Sequence, residues 1–468
     1  MTPWSAARLA IFLSILGSYI DESIPLPNKI CRLLLSREGE HDTTVGMRKR
    51  SHDAKVSDDG FKAVFRPILL LAVTVFIDLL GFGIILPNLP LYIKQAVGHN
   101  DGNAAFTGGL LAASYSLAQF ICAPFWGRYS DRAGRRPVIL LSLLGVGVAY
   151  IFFGLANGSL AMLFAARLLA GVLSSASIGV AFAYVADVTT PQNRAKGLGL
   201  LGACFGLGFM MGPAIGGILG KVSLSLPAFV AAGMALLNFA FSYRMLPESL
   251  TAEERARLNA PDRPGLSEQL HKVLSGPTAG LYLLSFISIF GFAAIEQAFG
   301  FFLLARGIAN DKNLPERFGY IMAFVGVIGV VVQGGLIGRM VSKLGEGTVA
   351  RVGMAVLVFG YIGLTLPREW GWLVFLPAIP LSAGRSMMGP AISALISRKS
   401  NLGQGLNLSV QQSFDALART VGPLTAGWLF KTYGPTMPYY FSAGLTVLAL
   451  VFTLALPRIL APLSPEAE

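Results

Sequence analysis

The chain has 468 residues, of which 54% are hydrophobic and only 13% charged, with a formal net charge of +12. A soluble domain carries about 25% charged residues, and here the first 66 residues alone hold 18 of the 62 charges. That excludes an ordinary soluble enzyme and a disordered chain. So basic a balance on so apolar a sequence reads as loops facing an anionic leaflet, not as a nucleic-acid surface. The three cysteines are Cys31 in the tail and Cys122 and Cys204 inside apolar runs, so neither a disulfide frame nor a metal site nor a cofactor is expected.

Residues 1–65 read as an N-terminal cytoplasmic tail without fixed structure, and the apolar stretch Leu9–Ile20 within it is too short to span a bilayer. From Arg66 onward twelve apolar runs follow, at about 66–92, 107–126, 137–156, 160–186, 197–220, 224–246, 278–304, 317–338, 350–366, 371–396, 405–430 and 436–460. Each approaches the ~20 residues that cross a bilayer as a helix. They are continuous rather than alternating, which predicts helices and not a barrel. The fold class expected is therefore an all-α membrane protein of twelve transmembrane helices, with a six-helix bundle over 66–246, a charged central cytoplasmic loop over 247–277, a second bundle over 278–460 and a short tail at 461–468.

The first run carries Asp78 among apolar neighbours. Between the second and third runs stands Gly127-Arg128-Tyr129-Ser130-Asp131-Arg132-Ala133-Gly134-Arg135-Arg136, and the fourth run contains Arg167 and ends at Asp187. Asp131 can pair with Arg135 or sit at a helix N-terminus, and Asp187 is a second partner for the same arginines. Such a cluster suits a latch made in one conformation and released in another; the plainer alternative is a set of basic residues that holds the loop inside. In the fifth run Gly208, Gly212 and Gly216 lie four apart on one face, with Pro213 and Gly217 beside them. Small residues so placed allow close helix packing in lipid, either as a seal or hinge or simply as an interface.

In the second half, Gly338-Arg339 with Lys343 and Gly345 repeats Gly127-Arg128 with Arg132 and Gly134 at an offset of 211. Gly422-Pro423 repeats Gly212-Pro213 at 210, and Gly427 matches Gly217. Two marks at nearly one offset indicate duplication, and two similar halves with a site between them is a transporter plan. With both termini inside, the inner loops hold 16 Lys and Arg against 7 in the outer loops, so both ends are expected in the cytoplasm.

The 127–136 run resembles the loop signature of the major facilitator superfamily, with Tyr129 where leucine is usual. Arg167 with Gly171 is similar to that superfamily's fourth-helix mark, Gly208 to Gly217 to the pattern of its antiporters, and Asp78 to Pro90 to the first helix of tetracycline-resistance and multidrug proton antiporters. The second copy, Gly338 to Gly345, lacks the acidic residue. The resemblance implies drug–proton antiport by alternating access, with tetracycline or other amphipathic small molecules as substrates.

A charge at the bilayer centre costs ~2.5–3.5 kcal/mol on insertion scales. The runs contain three acids, Asp78, Glu296 and Asp415, and three bases, Arg167, Arg385 and Arg419. Asp78, with no basic neighbour in its own run, is the first choice for proton coupling; the alternatives are a membrane-edge acid or a partner of Arg167. Glu296, for protons or a cationic drug, and its neighbour Gln297 come second, and Asp415 could pair with Arg419 four residues on. Arg167 is expected to order the cavity. The reading is a proton-coupled exporter, functional as a monomer in the cell membrane, with small-molecule substrate, protons and lipid as partners. A proton symporter or facilitator for a nutrient, or a receptor of the same fold, are the other readings.

Overall fold

Prolines decide where the first membrane run breaks. In the computed structural model helix α1 (Thr44–Ile85) starts well before the expected boundary and gives way to one 3₁₀ turn (Leu86–Asn88) and a short α2 (Leu89–Val97). Pro87 and Pro90 lack the N–H that a continuing helix needs and sit instead at the first positions of the new elements. The structure describes residues 44–98, 100–251, 253, 255, 278–399, 404–455 and 460. Leu9–Ile20, Cys31, most of the central loop and the tail at 461–468 lie outside them. Compactness divides the chain between Asp59 and Gly60, and the architecture that follows is that of the second unit, Gly60–Glu468.

After α2 come α3 (Asp101–Ala133), α4 (Arg135–Gly154), α5 (Leu160–Val188), α6 (Pro191–Gly220) and α7 (Leu226–Met245). The second set is α8 (Ala279–Ala305), α9 (Leu314–Val331), a π turn (Val332–Leu336), α10 (Ile337–Gly363), α11 (Ala378–Lys399), α12 (Gln404–Tyr433) and α13 (Met437–Ala455). Nine stretches among the described residues are long and apolar enough to cross a membrane. One of these, Leu314–Gly363, is two helical arms, because Gly345 (φ 75°, ψ 157°) takes a left-handed conformation that interrupts it. The more polar α11 and α12 lie outside those nine, yet stand at the positions of the tenth and eleventh runs.

Within the first set α4 packs on α5 and α7, and α3 on α5; within the second, α10 packs on α11 and α13, and α8 on α12. Two seams join the sets, α3 with α12 and α6 with α9. The internal repeat is visible in these contacts. A Cβ on Gly212 would stand 2.7 Å from Leu80 O, and one on Gly422 would stand 2.7 Å from Phe290 O, 210 residues on from Leu80. A Cβ on Gly217 would meet Pro315 O at 2.3 Å, and one on Gly427 would meet Ala105 O at 2.8 Å. Gly217 and Gly427 therefore form the two seams by the same contact made twice, while Gly212 and Gly422 repeat one contact inside each set.

Glycine contacts between the sets gather toward one end of the seams, at Gly102, Gly108 and Gly109 on α3, Gly427 on α12, Gly217 and Gly220 on α6, Gly300 on α8 and Gly319 on α9, with Gly326 against Met210 the deepest of them. At the opposite end, Gly199, Gly202 and Gly206 on α6 and Gly334, Gly335 and Gly338 on the arm before Gly345 have open space where a Cβ would be. The sets are joined at one end and parted at the other.

Candidate translocation site

Six charged side chains stand on the membrane helices, Arg167 buried, Asp78, Glu296, Arg385 and Asp415 half-buried and Arg419 exposed, and none forms an ion pair within 4 Å among the described residues. On α1, Asp78 Oδ2 accepts a hydrogen bond from the Ser177 hydroxyl of α5, while Oδ1 is buried without a partner. Arg167, also on α5, does not meet Asp78. Its guanidinium lies 5.3–5.8 Å from the rings of Phe153, Tyr115 and Phe82, an aromatic cage that holds a cation without neutralising it. Tyr115 and Ser174 share a hydrogen bond of 3.0 Å beside it.

On α8, Glu296 and Gln297 diverge because successive helical residues are about 100° apart. Glu296 lines a pocket of about 20 Å³ with Phe292, Phe299, Met322, Val325 and Leu381, and its Oε1 has no partner. That space is about one water's worth. Arg419, Arg385 and Arg167 are within electrostatic reach of it. Gln297 is buried and faces α3, where its Nε2 would be 2.8 Å from a Cβ on Gly108. Asp415 does not pair directly with Arg419. Its Oδ1 accepts from Ser285 at 2.8 Å, and Gln411 donates to both Ser285 (3.2 Å) and Ser393 (2.8 Å). Arg385 stands 5.2 Å from the Phe292 ring, which itself faces Phe209 across the sets at 6.1 Å. Two acids with a free oxygen and three arginines without direct counter-ions form a site able to exchange protons and to hold a charged or polar guest.

The loop cluster is assembled at the parted end, wholly within the first set. Arg135, buried at 6% exposure, reaches Asp131 at 2.7 Å, Asp187 at 3.0 Å and the Ser130 hydroxyl at 2.6 Å. Gly134 (φ 106°) makes the turn into α4. Glu248, which the sequence reading missed, caps that helix: its carboxylate accepts from Arg135 N at 2.8 Å and Arg136 N at 3.2 Å, a charge placed at the positive end of the dipole. A Cβ on Gly134 would strike it at 2.3 Å. Arg136 donates to Tyr243 O at 2.6 Å. Arg132 is exposed and outside the cluster, and Gly127, inside α3, makes no close approach. The signal for Glu248 was faint: an acid after Pro247, far along the chain from the turn it caps.

The stripe on α6 divides its work. Gly208, Gly212 and Gly216 back onto α1, where added Cβ atoms would stand 2.5 Å from Phe76 O, 2.7 Å from Leu80 O and 2.0 Å from Ile84 O. Gly217 instead faces α9, and Pro213 serves both sides: its ring Cδ lies 2.8 Å from a Cβ on Gly83 of α1 and its carbonyl oxygen 2.8 Å from a Cβ on Gly319 of α9. Beyond them two ion pairs clasp the sets at the joined end, Lys94 with Asp311 at 3.2 Å and Lys221 with Glu316; Lys94 also reaches Asp101 of its own set at 3.5 Å, and Glu316 accepts from Tyr320 at 2.7 Å. The Glu316 carboxylate raises the Lys221 ammonium above its ordinary range. Sequence reading counted Lys94 and Lys221 only as outer-loop charges.

Comparison with known proteins agrees with this geometry. The family described as Major Facilitator Superfamily matches residues 71–404. Multidrug resistance protein 2 of Bacillus subtilis (strain 168) is 28% identical over 410 residues, 84% of this chain and 95% of its own. The class C tetracycline resistance protein of Escherichia coli is 32% identical over 370 residues, 79% of this chain and 91% of its own. Among solved structures, a human organic anion transporter aligns with TM-score 0.63 at 24% identity, over 85% of this chain and 99% of its own. A D-xylose–proton symporter aligns at 0.66 and 16%, over the same shares, and shares the fold.

Proposed function

The chain belongs to the major facilitator superfamily, and from that premise we propose that it is a proton-coupled antiporter exporting amphipathic small molecules, tetracycline-like compounds among them. Membership makes it an integral multi-pass membrane transporter and not an enzyme, related to tetracycline and multidrug resistance proteins. The observation that carries the finer reading is the interior set of charges: Asp78 and Glu296 each keep a carboxylate oxygen free, and Glu296 is within reach of arginines that do not pair with it. A carboxylate so placed accepts a proton when its side of the site is wet and yields it when access changes. All twelve helical segments cross the membrane in this reading, in two six-helix bundles, and both termini are cytoplasmic. The clasped end then faces outward and the parted end faces the cytoplasm.

In the cycle, substrate enters from the cytoplasm among Phe292, Gln297 and the arginines. The sets then rock about the two glycine seams, and the clasp of Lys94 and Lys221 opens. Protonation of Asp78 or Glu296 from outside accompanies substrate release, and the proton leaves inward when the parted end reopens. Arg135, Asp131 and Asp187, braced by Glu248, hold the end of the first set rigid through the swing. Proteoliposomes with an imposed pH gradient test this. Proton efflux on substrate addition is expected; inward co-movement of proton and substrate would establish a symporter instead, and binding without flux a receptor.

A further inference from the structure

The loop between α10 and α11 roofs an open groove of about 780 Å³, within the volume range of ligand sites. Its floor is rigid, since a Cβ on Gly360 would stand 2.5 Å from Leu381 N and one on Gly363 would stand 2.8 Å from Pro377 Cβ. Its back wall is pinned. The Arg317 guanidinium sits 4.8 Å from the Trp370 ring, which meets Phe375 edge-on at 5.7 Å. Phe359, Leu366 and Trp372 line the groove at 71%, 72% and 71% exposure. The mouth holds Arg368 and Glu369, adjacent, exposed and without a partner among the described residues. They lie just past Gly363, where the apolar stretch ends.

A largely apolar groove at the end of a membrane span, lined at its rim by one free cation beside one free anion, matches a molecule with an acyl chain and a zwitterionic head. We propose that the groove binds a phospholipid with a phosphoethanolamine headgroup. The chain lies along Phe359 and Leu366, the phosphate accepts from Arg368, and the primary ammonium donates to Glu369. Charge-assisted hydrogen bonds of this kind are the strong ones. A choline head has no N–H for Glu369, and a glycerol head has no cation. Trp372 follows the end of the apolar stretch at Gly363, and indole rings prefer the membrane interface.

The test uses brominated lipids as quenchers of tryptophan fluorescence in the full chain, with Trp372 as sole tryptophan, and a second variant retaining only Trp428, which is 49% exposed on α12. Brominated phosphatidylethanolamine is expected to quench Trp372 with about fivefold preference over the choline and glycerol lipids, the difference one good hydrogen bond makes, while Trp428 shows no preference. Glu369→Gln should erase the choice between ethanolamine and choline, and Arg368→Ala should weaken all three. Equal quenching by all heads, an unchanged preference in Glu369→Gln, or displacement of the lipid by tetracycline would overturn the proposal. Should the tryptophan variants fold poorly, native mass spectrometry of the unsubstituted chain and of Arg368→Ala/Glu369→Gln reads the same retained lipid, present in the first and absent in the second.

Discussion

Asp78 and Asp415 are both buried acids, but their surroundings give them different work. Asp415 is tied into a chain of Ser285, Gln411 and Ser393, whereas Asp78 has one hydroxyl partner and one free oxygen. Asp78→Asn keeps the size and the acceptor for Ser177 but cannot titrate. Gradient-driven transport in proteoliposomes should fall by at least about tenfold while substrate binding changes by less than about threefold. Intact coupled transport in that variant would move proton coupling to Glu296. At the parted end, Glu248→Gln removes a charge from the N-terminus of α4 and should cost about 0.3–1 kcal/mol, read as a lower melting temperature. Asp131→Asn, which breaks the 2.7 Å pair to Arg135, should slow turnover more than it weakens binding; equal loss of both would count against a latch. Asp78 and Glu296 were legible in sequence because charge inside an apolar run is rare, and Arg135 and Asp187 because the loop signature and the end of the fourth run place acids and arginines on one membrane side. Glu248 and Ser177 were not, since only a fold brings a residue to a partner about a hundred positions away.

At the scale of elements, α6 serves two neighbours with adjacent glycines, and substitution should separate them. Gly216→Ala drives a Cβ to 2.0 Å from Ile84 O inside the first set. Overpacking there should cost about 1–3 kcal/mol and appear as lost melting temperature or yield. Gly217→Ala drives its Cβ toward Pro315 O on α9, across the sets. Its expected signature is leak of substrate without a gradient, measured in loaded vesicles, because the seam cannot close. The spacing of Gly208, Gly212 and Gly216 announced a packed face, but could not say that Gly217 leaves that face for a different helix. The repeat did more: with an offset near 210 it already implied that whatever Gly212 touches has a counterpart for Gly422, and Leu80 and Phe290 are that pair.

For the molecule as a whole, the two ion pairs at the joined end bias the choice of conformation. Exposed pairs are individually weak because solvent screens them, and Lys94, at 13% side-chain exposure, is the more sheltered of the two lysines. Lys94→Gln with Glu316→Gln should shift the population toward a state open at this end by about two- to fivefold. Spin-label distances across the α3–α12 seam, measured at both of its ends, would register it as lengthening at the clasped end with shortening at the parted end. Unchanged distances would leave the glycine seams alone responsible for closure.

Sequence by itself determined that the chain lives in a membrane, where its helical runs lie, that its halves repeat and which charges those runs carry. Those properties follow from apolar length and from the cost of charge in lipid, both local to the chain. Only the tertiary structure decided which charges stay unpaired, which glycine faces which helix, and that Lys94 and Lys221 reach across to Asp311 and Glu316. Each of those depends on where a distant helix stands, and no periodicity or composition encodes a distance between segments more than ninety residues apart. The shortage of charge that marks the sequence thus left few charged groups, and packing settled what each one meets.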